Sequence, residues 1–370
     1  MKNNHHSFFF KFYLVLFLLA CSISSFAQER NIHVLGKVLD STTMQPLAGA
    51  SAFCTNTSYG SVTNADGMFF LRLPTGGYDL VVSYTGYNKK TFRISNNDEM
   101  PDTLVVLLTQ QDRSLEEVAF VASNEVENGW ERFGDFFFKQ FIGTTPDAGE
   151  CRIMNPEVLR FFYYKTNKRN RLKVLAKEDL QIMNYHLGYQ LRYSLDSFSY
   201  DYNNNISQYT GDPLFTAMDS TEDMNTQWAK NRAKTYLGSR LHFMRSYYDS
   251  VLSDEGFIVE KLDKKNRGTI IDPYDSTMFM MDSSIAQVYM KGRYRVSYRL
   301  VYPDKNFLEE FKLPKDTKMQ VTLLDVKDGF AIEENGYFFE QYDVINSGYW
   351  AWKKLAEQLP YDYEEEGRSD

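Results

Sequence analysis

The chain has 370 residues, with 41 Lys and Arg against 49 Asp and Glu, a formal net charge of −8, and 43% hydrophobic residues. This balance fits a folded chain of two or three domains and argues against a nucleic-acid binder, which needs a basic face for phosphates. Three cysteines are too few for a disulfide scaffold or a cysteine-rich zinc site, while 28 Phe and 26 Tyr favour β structure.

Residues 1–27 read as a signal peptide. Lys2 and Lys11 stand without acids, Phe12 to Ala20 is unbroken apolar sequence, and Ser25-Phe26-Ala27 places small residues where a signal peptidase reads, so cleavage after Ala27 is expected. The apolar run is shorter than the about 20 residues that a permanent spanning helix needs, and no later stretch reaches that length without charge. The mature chain is therefore expected to be exported without a transmembrane helix, in the periplasm or associated with the outer membrane. Leu18-Leu19-Ala20-Cys21 is a competing box in which Cys21 would be acylated and the chain anchored to a membrane leaflet.

Residues 28–111 read as a seven-stranded antiparallel sandwich. Val34 to Val38, Ser51 to Cys54, Met68 to Leu73, Tyr78 to Tyr84, Thr91 to Ile94 and Leu104 to Leu108 are strand-like runs broken by turn residues. In Asn64-Ala65-Asp66-Gly67 the Asp is expected to accept backbone N–H bonds and the Gly to take a positive φ. Gly36-Lys37-Val38, Pro46-Leu47-Ala48-Gly49-Ala50, Thr63 to Phe69 and Tyr78 to Tyr87 together resemble the carboxypeptidase-regulatory-like domain, about 80 residues of this chain. The resemblance implies a transthyretin-like sandwich and an envelope protein of Bacteroidetes-type bacteria. It implies no catalysis, since that domain accompanies peptidases without supplying their active site. Asn64 stands where the family usually has Asp, which weakens any cation-binding role for that loop.

Residues 112–128 read as a linker strand. Leu115-Glu116-Glu117-Val118-Ala119-Phe120-Val121 resembles the stretch that follows this domain in TonB-dependent receptors, but too little chain remains for a plug and a large barrel. Residues 129–360 read as a larger α+β domain, similar to companions of unknown function found beside the regulatory-like domain. It opens with an aromatic segment from Trp130 to Phe141 and continues in strand-like runs. Between Thr221 and Ser253, Ala229, Ala233, Leu237, Leu241, Met244, Tyr248 and Leu252 recur at helical spacing, predicting one long amphipathic helix capped by Thr221. Residues 361–370 read as a solvated acidic tail.

Catalytic patterns are sparse. A zinc carboxypeptidase needs a His and a Glu close together plus a distant His. After residue 27 the chain holds only His33, His186 and His242, and neither His186 nor His242 has Glu three residues on. Arg232, Tyr236, Ser239 and His242 form the remaining candidate surface site, with Ser239 and His242 three apart on one helix face, although a mid-helix Ser lacks an exposed elbow and an oxyanion hole. Cys54 and Cys151 would both meet an oxidising compartment and are a candidate disulfide; two separate buried thiols are the alternative. Tyr200, Tyr202 and Tyr209 are candidate stacking residues for a glycan or peptide, or ordinary half-buried strand positions.

The expected function is a non-enzymatic exported protein, binding a partner protein or a glycan or peptide ligand or acting as a scaffold, with no cofactor and no metal. A hydrolase built on the 232–242 helix region and a small outer-membrane barrel are the alternatives, the long helix and the acidic C-terminus counting against the barrel.

Overall fold

A computed structural model describes residues 31–111, 124–165 and 170–365. The signal segment, most of the expected linker and residues 366–370 lie outside the described residues. Among the described residues strand accounts for 41% and helix for 19%, the β-rich balance the aromatic content predicts.

The sandwich has seven strands: β1 (Ile32–Asp40), β2 (Ser51–Cys54), β3 (Gly60–Val62), β4 (Met68–Leu73), β5 (Tyr78–Ser83), β6 (Lys90–Ile94) and β7 (Leu104–Leu108). They form sheets of order β4-β1-β7 and β3-β2-β5-β6. Phe69, Leu71 and Leu73 alternate inward from β4 to meet Val34, Val38, Leu80 and Val82 in one core. The expected all-antiparallel pairing fails at one place: β7 returns parallel to β1, with Val38 opposite Val106. The turn before β4 is also built differently. Asn64, not Asp66, supplies the acceptor, its Oδ1 taking the amides of Asp66 and Met68 at 3.0 and 2.9 Å. Gly67 closes that turn at φ 73°, where a Cβ would sit 2.5 Å from the Val38 carbonyl.

The next region is a six-stranded sheet under helix α1 (Gly129–Phe141). Its strands are β8 (Cys151–Ile153), β9 (Leu159–Lys165), β10 (Asn170–Ala176), β11 (Leu180–Asn184), β12 (Tyr189–Asp201) and β13 (Ile206–Ala217). Strand β12 organises it. One edge pairs with β11 near its start and β10 near its end, and the other edge takes β13, with a bulge between Leu195 and Ser197. Phe137 and Phe141 drop from α1 onto Phe161, Phe198 and Tyr193. Tyr200 and Tyr202 pack on Phe136, and Tyr209 meets Phe141 edge-on, so all three tyrosines belong to this aromatic layer.

Two helices follow, α2 (Glu222–Tyr236) and α3 (Arg240–Tyr248), where one long helix was expected. Apolar periodicity continues through the break, but Gly238 takes φ 73° and Ser239 opens a new helix. Thr221 caps α2 as predicted, accepting the Met224 amide. The rest is a five-stranded sheet of β14 (Phe257–Leu262), β15 (Gly268–Ile270), β18 (Gly292–Tyr298), β19 (Gln320–Val326) and β21 (Val344–Gly348), beside a three-stranded sheet of β16 (Phe279–Asp282), β17 (Ile285–Val288) and β20 (Phe330–Glu333). Short helices α4 (Lys305–Glu310) and α5 (Tyr349–Lys353) complete it. All these sheets are open paths, so the described residues form no closed barrel, and no described helix is long and apolar enough to cross a membrane.

The stretch expected to be a solvated tail instead packs inward up to residue 363. Tyr361 and Tyr363 are buried and join Leu355 and Leu359 in the core of the middle sheet. Their rings supply the reason, since leaving two aromatic side chains in water forfeits about 2 kcal/mol each.

Candidate functional site

The break between α2 and α3 places the four residues singled out from sequence. Ser239 is the N-cap of α3, not a mid-helix residue, and its Oγ accepts the His242 amide at 3.1 Å. His242 is fully buried rather than on a surface. Its Nδ1 accepts the Gly238 amide at 3.1 Å, so Nε2 carries the hydrogen and faces Glu255 Oε2 at 3.1 Å. The imidazole therefore turns no free nitrogen toward the Ser239 hydroxyl, and the serine–base pairing a hydrolase needs is absent from this helix start. Tyr236, also buried, lies against the imidazole with ring centres 4.7 Å apart. Arg232 faces elsewhere, donating from Nε and Nη2 to the carbonyls of Leu187 and Gly188 at 2.6 and 2.9 Å while covering the Tyr189 ring. These four residues lock the helical pair onto its sheets. Cys54 lies in the sandwich core and Cys151 in the middle-sheet core, each an unbonded buried thiol, and burial raises the thiol pKa to about 12 at Cys151.

Beside this lock is a cleft of about 210 Å³ to which every region contributes. Asn56 comes from the sandwich, Tyr209 from β13, Ser239 and Arg240 from the start of α3, and Asn346, Trp350 and Gln358 from the C-terminal part. Backbone bonds hold the parts in place. Asn56, at φ 58°, donates its amide to the Pro213 carbonyl at 2.7 Å and accepts the Tyr361 amide at 2.7 Å. The Thr57 carbonyl receives the Phe215 amide at 2.9 Å, and Asp362 takes the Ser58 amide at 2.9 Å. The segment 358–363 is thus a strap that ties the sandwich to the middle sheet.

The charges lining the cleft are unequal. Lys353 is paired with the buried Glu357. Lys354 donates to the Lys139 carbonyl and to Gln140 Oε1, both at 3.2 Å, and burial lowers its pKa. Arg240 differs, because among the described residues it makes neither a hydrogen bond nor an ion pair. Its guanidinium sits 5.5 Å from the centre of the Phe338 ring. Burial raises the Tyr209 pKa, and the charge of Arg240 pulls it back, so the two groups feel one another. The Trp350 indole is fixed by donating to the Gly238 carbonyl at 2.7 Å. Sequence reasoning had singled out Tyr209 and Ser239 but passed over Arg240. A signal was present: the residues four before and four after Arg240 are Tyr236 and Met244, so α3 gives it no acidic partner.

The sandwich also meets the β20 turn. Glu333, fully buried, accepts the Ser95 hydroxyl, and Tyr337 donates to Asp79 Oδ1 at 3.0 Å. Asn335 exchanges hydrogen bonds with both backbone groups of Gly77 at 3.2 and 3.0 Å. Gly77 must be glycine for this approach, since a Cβ would fall 2.4 Å from the Tyr337 ring. Burial raises the pKa of both Glu333 and Asp79.

A β-sandwich fixed to a larger mixed domain is thus the class of protein the fold defines. Residues 34–120 match the CarboxypepD_reg-like domain family, as the turn pattern implied. Solved structures similar to the chain at low identity include the following three. A DUF3823 family protein from Bacteroides ovatus ATCC 8483 is 10% identical with a TM-score of 0.18, over 52% of this chain and 83% of its own. A candidate membrane-associated protein of unknown function from Bacteroides fragilis NCTC 9343 is 11% identical with a TM-score of 0.18, over 86% and 93%. A 9R-lipoxygenase from Cyanothece PCC8801 is 11% identical with a TM-score of 0.16, over 62% and 49%. No curated protein matches the chain.

Proposed function

We propose that this chain is a non-enzymatic exported protein of the cell envelope, in which the sandwich braces the larger domain so that their shared cleft binds a small ligand. One observation carries the reading: a single cleft is lined by Asn56 of the sandwich, Tyr209 of the middle sheet and Trp350 of the C-terminal part. A cleft at a junction between regions, with fixed aromatic walls and a few free polar groups, suits binding. The engagement of Ser239 and His242 in capping and packing favours binding over hydrolysis. Export rests on the sequence of residues 1–27, and the domain limits at 28–111 and 129–360 are part of the same proposal.

The test combines address and site. Mass spectrometry of the chain purified from native envelopes is expected to find Gln28 as the first residue, or an acylated Cys21; recovery with Met1 intact overturns export. A small-molecule library screened by NMR on indole-labelled protein is expected to give molecules that shift the Trp350 resonance. Asn56→Gly, which tolerates the left-handed backbone, should weaken them. No shift at Trp350 from any molecule overturns the binding reading.

A further inference from the structure

We infer that the cleft takes a small carboxylate carrying a single ring, with its acid group held by Arg240 and Tyr209. This rests on the binding reading above and names the chemistry of its ligand. Among the described residues Arg240 is the lining cation with neither a hydrogen bond nor an ion pair, in a chain whose net charge is −8. An arginine can grip a carboxylate through two parallel N–H bonds, and that planar match favours carboxylate over a spherical anion. The Tyr209 hydroxyl makes no hydrogen bond among the described residues and lies near enough to Arg240 to be perturbed by it. It is a ready second donor to the same oxygens. The Asn346 side-chain amide, also without a hydrogen bond among the described residues, and the proton of the Ser239 hydroxyl add neutral donors along the wall.

Size and wall chemistry set the rest of the ligand. About 210 Å³ lies below the roughly 300–1,000 Å³ of drug-sized pockets, so the cleft suits one ring rather than a chain of them. Trp350 and Phe338 give that ring apolar faces, and Trp350 is held in place by its bond to Gly238. Exchanging the acid for a neutral group leaves the guanidinium's donors unmatched.

The experiment is calorimetric titration of the full chain with glucuronate and benzoate, each beside its neutral counterpart, glucose and benzyl alcohol, with Trp350 followed by NMR. Saturable binding of at least one acid, at least tenfold tighter than its neutral counterpart, is expected. Arg240→Met should weaken the acid at least tenfold and leave the neutral molecule unchanged, and Tyr209→Phe should weaken the acid about threefold. Preference for glucuronate would identify a sugar acid, and preference for benzoate an aryl acid. Equal binding of acid and neutral forms, or an unchanged affinity in Arg240→Met, overturns the carboxylate assignment while the cleft stands. No shift at Trp350 with any of the four molecules overturns this assignment, and the library screen then decides the binding reading separately. Should Arg240→Met fail to fold, Arg240→Lys serves: it keeps the charge but loses the paired donors, and an unchanged affinity there overturns the two-point grip.

Discussion

The sandwich is attached to the rest of the molecule along two seams of opposite electrostatic character. Against the middle sheet, Lys89 sits between Asp196, at 2.6 Å, and Asp212, while Arg192 donates to Ser51 and covers Phe53. Burial works against the charge on Lys89, but its two carboxylate partners outweigh it and raise its pKa. Against the β20 turn, the carboxylates of Glu333 and Asp79 are held by hydroxyl donors, with the Asn96 side-chain amide also reaching Glu333 at 3.4 Å and the charges of Arg93 and Asp212 acting in opposite senses on Asp79. The difference teaches that one domain can be fixed by two kinds of contact that answer differently to solvent. The first seam is charge-matched and sensitive to salt; the second is strained by charge and sensitive to pH.

The sign of that second sensitivity follows from the raised pKa values. Above the ordinary carboxyl range and up to the raised values, the folded state holds more protons than the unfolded one. The stabilisation is therefore fully present below the ordinary carboxyl pKa and is lost as pH rises through the folded-state values.

The strap is shared by both seams, so Tyr361→Ala should do the greatest damage. Its ring is buried beside Tyr337, and truncating a buried aromatic costs about 3–5 kcal/mol, measurable by urea denaturation. Tyr337→Phe comes next. It removes the donor to Asp79, with an expected cost of about 1–3 kcal/mol at pH 7 and a smaller one at pH 5, where Asp79 is more often protonated. Equal losses at the two pH values would contradict the charge-strained seam. Lys89→Met should cost about 1–2 kcal/mol, discounted because the pair is partly exposed, and its loss should shrink in high salt. Glu333→Gln is expected to change stability least at pH 5 but to flatten its fall between pH 5 and pH 8, as read from Tm across that range. A Tm slope identical to that of the unmodified chain would show that Glu333 does not set it.

Much of the sandwich was legible because its signals are local. Alternation in Met68 to Leu73 and the Gly67 turn each act within a few residues. The parallel return of β7 was not, because strand direction depends on a crossover that no local pattern records. The long helix was misread for a related reason: apolar spacing runs across Gly238 unbroken, and the competing signal is the Gly-Ser pair that ends one helix and caps the next. The cleft was half visible. Tyr209 and Ser239 drew attention by type, but their meeting with Trp350 and Asn56 is made by tertiary contacts. The Ser95–Glu333 bond, between residues 238 positions apart, was beyond any sequence pattern.

The Asn56 turn has a consequence for the order in which the molecule assembles. Its bonds to the strap join residues about 300 positions apart, such as Asn56 with Gln358 and Ser58 with Asp362. Contacts of such separation carry a large loop-closure cost unless the intervening chain is already folded. The strap should then act as a latch that shuts after the sheets have formed. Weakening it should speed unfolding and leave the folding rate nearly untouched, a division that the two arms of a chevron plot would display.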